Sequence, residues 1–87
     1  MSTYLARIYV TLKPTVNDPQ GLTIADGLRS LGFDEVEGVR AGKYLEVRLD
    51  AASPETASQR VDAMCDKLLA NPIIESYRFE IEALTPA

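Results

Sequence analysis

The stretch Tyr4-Leu5-Ala6-Arg7-Ile8-Tyr9-Val10-Thr11-Leu12 decides the fold class. In an extended chain Tyr4, Ala6, Ile8, Val10 and Leu12 share one face, while Leu5, Arg7, Tyr9 and Thr11 share the other. A period of two with β-branched and aromatic residues specifies a half-buried strand. Pro14 ends that strand because it has no N–H to give to a ladder.

Working outward, Asn17-Asp18-Pro19 marks a helix start. Asp18 can accept from the free N–H groups of the first turn, and Pro19 suits the first helical position. Ile24, Leu28 and Leu31 follow at helical spacing, with Leu22 and Ala25 widening the stripe. Gly27 weakens the helix by roughly 1 kcal/mol relative to alanine, which predicts a close neighbour there. Gly32 stands where a left-handed residue closes a helix. Residues 36–40 and 43–49 read as two short strands turning at Ala41-Gly42, or as one long strand bulged at Gly42.

Ser53-Pro54-Glu55 opens a second helix by the same logic, with Ala57, Val61, Met64, Cys65 and Leu68 as its buried stripe. Asn71-Pro72 ends it. Residues 73–83 form a last strand with Tyr77, Phe79, Ile81 and Ala83 on one side. The order β-α-β-β-α-β predicts an α+β domain over residues 1–87, with an ordered core at 3–83 and a loose Thr85-Pro86-Ala87 tail. The economical arrangement is ferredoxin-like: a four-stranded antiparallel sheet with two helices on one face. Its other face would then carry Leu5, Tyr9, Tyr44 and Ile74, an apolar surface that predicts self-association into a dimer or tetramer.

Composition narrows the functions. The formal net charge is −4 and the basic residues are scattered, which argues against nucleic acid. No apolar run reaches membrane-spanning length, and no leader pattern opens the chain. Cys65 is the only cysteine, consistent with a reducing cytoplasm. Histidine is absent, which removes the commonest acid–base agent and the common zinc ligand sets. Arg40-Ala41-Gly42-Lys43 is too short for a phosphate loop. Glu35, Glu37 and Glu46 form no fixed carboxylate pair. Cys65 sits on the apolar stripe with no neighbouring cation to activate it. What remains is a candidate partner interface: Tyr9, Asp18, Gln20, Arg40, Gly42, Lys43, Asn71 and Tyr77.

Three segments carry a family resemblance: Tyr9-Val10-Thr11-Leu12-Lys13-Pro14 with Asp18-Pro19-Gln20-Gly21, Val39-Arg40-Ala41-Gly42-Lys43-Tyr44-Leu45-Glu46, and the run from Met64 through Glu80. In this order, over residues 4–82, the chain resembles the small PurS-type subunit of phosphoribosylformylglycinamidine synthase. The resemblance implies an accessory subunit without catalytic residues, acting in purine biosynthesis beside a glutaminase subunit and a large synthetase subunit. The complete enzyme would convert formylglycinamide ribonucleotide, glutamine and ATP to formylglycinamidine ribonucleotide. ATP and magnesium would belong to the large subunit, leaving this chain without a cofactor. The competing expectation is a stand-alone ferredoxin-like regulatory domain that binds a metabolite at a dimer interface.

Overall fold

The computed structural model describes residues 1–84; the tail expected to be loose lies outside them. The elements are β1 (Ser2–Leu12), α1 (Pro19–Ser30), β2 (Gly42–Ala51), α2 (Pro54–Met64), a π-helical continuation of α2 over Cys65–Leu69, and β3 (Glu75–Ala83). The sheet is antiparallel with order β2-β1-β3, so the alternating first strand is its centre. Ala6 faces Val47 on one side and Ile81 on the other; Ile8 faces Leu45 and Phe79.

The expected inner face holds. Tyr4, Ala6, Ile8 and Val10 are all buried, and Ile8 and Val10 join Val61, Cys65 and Ala70 in the main core cluster. Tyr4 packs with Ala51 and Ala57 in a second. Burying a side chain of valine size or larger contributes roughly 1.5–3 kcal/mol, so these few positions dominate the stability of so small a domain.

Several expectations need correction. First, the described residues form three strands, not four. Residues 36–41 run without a ladder, so neither a hairpin nor a long bulged strand precedes β2. Arginine side chains hold this segment instead: Arg29 Nε donates to the Val36 carbonyl at 3.1 Å and a terminal nitrogen of Arg29 to Glu37 O at 3.1 Å. Second, only α2 supplies the helical side of the core. No α1 side chain belongs to either cluster, and among α1 residues only Gly21 and Ala25 are buried. Third, Leu68 is 82% exposed. The amide of Ala70 donates to Cys65 O at 3.0 Å, a π-type bond that widens the last turn. That extra residue rotates Leu68 outward and lets Leu69 pack against the core. Fourth, Gly27 has no close neighbour: a Cβ there would meet nothing within 4 Å.

The outer sheet face is also not the apolar surface expected. Ile74 precedes β3, where its carbonyl accepts from Lys13 N at 2.9 Å. Tyr9 and Tyr44 pack ring to ring at 5.2 Å, the Arg78 guanidinium lies 4.0 Å above Tyr9, and Tyr9 Oη donates to Glu80 at 3.0 Å. Arg7 pairs with Glu82. Charges satisfied across neighbouring strands make this a solvent face.

Unsatisfied apolar surface lies elsewhere. One helix over three strands leaves Leu45, Val47 and Leu49 of β2 and Tyr77, Phe79 and Ile81 of β3 only partly covered. The molecule is drawn out to 51 × 29 × 14 Å with a radius of gyration of 16.9 Å. A compact chain of this length would have a radius near ~12 Å. Its accessible surface is 6125 Å². A typical monomer of this mass exposes roughly 5,000 Å².

Candidate functional site

Asp18 organises the junction between β1, α1 and β2. It is buried, 4% exposed, because it sits between the first turn of α1 and the start of β2. Its Oδ1 accepts from the Gly21 amide at 2.9 Å, the capping bond expected of an Asp-Pro helix start. Its Oδ2 accepts from the Ala41 amide at 2.7 Å. Those two backbone donors, Gly21 first and Ala41 second, hold the carboxyl below its ordinary range despite burial, and Arg40 adds a smaller pull.

Arg40 completes the clip. A terminal guanidinium nitrogen donates to Lys13 O at 2.9 Å and Val16 O at 3.1 Å, closing the loop between β1 and α1. Its Nε lies 3.9 Å from Asp18. Two glycines permit the close approach. A Cβ on Gly21 would overlap the Val39 carbonyl, and one on Gly42 would stand 2.5 Å from Val10 O. Gly42 is thus required by space and not by a left-handed backbone. Among the described residues only Gly32, at φ 100°, has positive φ, and it caps α1 as its position predicted.

Beside the clip lies an open hollow of about 240 Å³ whose walls include Asp18, Gln20, Gly42, Lys43 and Glu75. Four of the eight sequence candidates therefore meet in one place. Arg40 borders the adjoining hollow, with Asn17, Leu22 and Val39. Tyr9 lies apart on the outer sheet face. Tyr77 points the other way, and its hydroxyl donates to Asp62 of α2 at 2.6 Å. Asn71 organises the turn before β3: its Oδ1 accepts from Ile73 N at 3.0 Å and its amide donates to Glu75 Oε1 at 2.7 Å. Glu75 and Arg29 were not among the sequence candidates. Glu75 reaches the hollow through that turn, which no local pattern announces.

The chemistry on offer is that of a binding surface. Burial, and then the charge of Asp62, pushes the Cys65 thiol up. The bond to Asp62 carries Tyr77 up to about 12, and Tyr9 and Tyr44 are raised as well. With Asp18 lowered and Arg7 raised, every resolved shift among the described residues moves its group away from neutral pH. General acid–base catalysis needs the opposite. No helix among the described residues is long and apolar enough to cross a membrane.

A family model described as PurS, phosphoribosylformylglycinamidine (FGAM) synthase, matches residues 5–83. The chain belongs to the PurS family. The PurS subunit of phosphoribosylformylglycinamidine synthase from Synechocystis sp. is 56% identical over 84 residues, covering 97% of this chain and 84% of its own length. The structure of Bacillus subtilis PurS matches at 44% identity and a TM-score of 0.81, covering 91% of this chain and 98% of that one. A chain of the PurLQS structure from Thermotoga maritima matches at 33% identity and a TM-score of 0.83, covering 97% and 100% respectively. The PurS family match spans the Asp18 clip, both helices, β2, β3 and β1 from Leu5 onward.

Proposed function

We propose that this chain acts as the small, non-catalytic subunit of a cytoplasmic FGAM synthase, the ATP-dependent amidoligase of purine biosynthesis. Its task is to hold a glutaminase subunit and a large synthetase subunit together so that ammonia released from glutamine reaches the ligation site. ATP and magnesium bind the large subunit. The observation that carries the reading is the likeness, over almost the whole of both chains, to a subunit of the Thermotoga maritima PurLQS structure. Among the described residues every resolved shift leads away from neutral pH, which supports a scaffolding role. The hollow walled by Gln20, Gly42 and Lys43, with Arg40 beside it, is the surface proposed to meet a partner subunit. Nothing in the geometry favours the metabolite-sensing alternative.

The shape supports self-association. The surface beyond that of a compact monomer is about 1,000 Å², and a stable interface takes roughly 800 Å² from each partner. The free chain is therefore a dimer or tetramer, built on the helix side of the sheet and the ferredoxin-like edge that a fourth strand would have closed. Gel filtration with light scattering tests both levels. Mixed with the glutaminase and synthetase subunits of its own organism, the chain should move into a single larger species. Elution at its own position whatever the mixture would overturn the assignment.

A further inference from the structure

The outer sheet face holds a hollow of about 280 Å³, lined by Tyr9, Thr11, Ser76, Tyr77 and Arg78. The strand register builds it. Tyr9 stands opposite Arg78 and Thr11 opposite Ser76. Alternate residues of a strand share a face, so these four side chains form one patch. On the β2 side Thr11 stands opposite Gly42, which has no side chain to cover the hollow.

Arg78 is unlike the engaged arginines. Arg7 pairs with Glu82, Arg29 donates to the carbonyls of Val36 and Glu37, and Arg40 to those of Lys13 and Val16. The Arg78 guanidinium rests 4.0 Å above the Tyr9 ring and, among the described residues, donates to no acceptor. Stacking uses the face of a guanidinium and leaves its N–H edge free. The Thr11 and Ser76 hydroxyls also have no partner among the described residues. The carboxylates of β3 are engaged: Glu75 with the Asn71 amide, Glu80 with Tyr9 Oη and Glu82 with Arg7. Lys13 continues the register past Thr11, its amide on Ile74 O, and forms no ion pair among the described residues.

We propose that this hollow is a binding site for the phosphate group of a small phosphate monoester. The guanidinium fork can meet two oxygens of one anion, and the two hydroxyls can donate to the remaining ones. A carboxylate has only two oxygens and would leave the hydroxyls unused. Arg78 covers the Tyr9 ring and Tyr44 packs against it, so a nucleobase has no face to stack on. The hollow falls just below the roughly 300–1,000 Å³ of drug-sized ligand sites, so the ester carries a small polyol or sugar and no more.

Titration of the isotope-labelled protein, followed by NMR, tests it with inorganic phosphate, glycerol phosphate, glycerol and acetate as probes. Both phosphates should bind at ~1–10 mM, as a few exposed charge-assisted bonds allow, and should shift the Thr11 and Ser76 amides and Arg78 Nε most. Glycerol phosphate should bind more tightly than inorganic phosphate, acetate at least about threefold more weakly, and glycerol not at all. Arg78→Gln should weaken phosphate binding by about tenfold or more, and Ser76→Ala by about two- to tenfold. Arg48 is an exposed arginine of the same sheet face with no ring beneath it, so Arg48→Gln should leave binding unchanged. All three positions are exposed, so each variant should melt close to the parent. Shifts centred elsewhere in the parent, no saturable shift by about 50 mM, or equal weakening by Arg48→Gln overturns the site. Acetate binding as tightly as the phosphates overturns the phosphate assignment, and glycerol phosphate binding no better than inorganic phosphate overturns the ester.

Discussion

Two glycines of the same helix should respond to alanine with opposite signs. Gly27 lies inside α1, and a Cβ there meets nothing within 4 Å. Alanine removes unfolded-state freedom and suits the helix, so Gly27→Ala should stabilise by roughly 0.5–1 kcal/mol. Gly21 has the same intrinsic gain of about 1 kcal/mol to offer. Its Cβ, however, would overlap the Val39 carbonyl and stand 2.7 Å from Asp18 Oδ2. Neither neighbour is a loose chain end: Val39 is two residues from Ala41, and Asp18 is bonded to both Gly21 and Ala41. Overpacking with lost hydrogen bonding costs roughly 2–4 kcal/mol, leaving a net destabilisation of about 1–3 kcal/mol. For a domain of this size each kcal/mol moves the melting midpoint by roughly 4–8 °C. Thermal melts followed by circular dichroism should therefore rise for Gly27→Ala and fall for Gly21→Ala. A Gly21→Ala protein as stable as the parent would show that the arm does not close on Asp18 as described.

Three further outcomes are expected. Leu69→Ala should cost about 1–3 kcal/mol in denaturant melts while Leu68→Ala stays within about 0.5 kcal/mol, the reverse of the order a regular α-helix would give. In an ultraviolet titration Tyr77 should ionise at about 12, and Tyr77→Phe should remove that step. Since its folded value is raised, its share of stability is whole below about pH 10 and fades toward about 12, so the variant should be less stable below pH 10 and lose less stability across that window. Asp18 has the opposite sign: its contribution is present above the ordinary value of 3.8 and is lost as pH falls through its lower folded value, so the Gly21 and Ala41 amide resonances should shift with a midpoint below 3.8. A midpoint at or above that value would contradict the double hydrogen bond.

Local rules made much of this fold legible. The β1 alternation placed Tyr4, Ala6, Ile8 and Val10 in the core, and Asp18-Pro19 and Ser53-Pro54 marked both helix starts. These signals act over a few residues, where capping and periodicity decide. The failures share another cause. Residues 36–40 have strand-like composition, but among the described residues no neighbouring strand is placed to pair with them, and Arg29 takes two of their carbonyls instead. The π-turn shifted the face of Leu68 by one residue, which no periodic template anticipates. The Asp18 to Ala41 bond spans 23 residues, so the sequence disclosed the cap and not the clip. As a turn or bulge position Gly42 would need backbone freedom, whereas it is the close approach to Val10 O that requires a glycine there. Of the expected α1 stripe only Ala25 is buried; Leu22, Ile24 and Leu31 are exposed, and no member of the stripe joins either core cluster.

The central claim is that this chain is needed to couple glutamine to FGAM synthesis while doing no chemistry itself. The most direct measurement is the rate of FGAM formation by the glutaminase and synthetase subunits with ATP, with and without this chain, using either glutamine or ammonia as nitrogen donor. The account predicts that glutamine-dependent synthesis requires the chain, that ammonia-dependent synthesis requires it less, and that the chain alone neither hydrolyses ATP nor releases ammonia from glutamine. Equal glutamine-dependent rates in its presence and absence would contradict it.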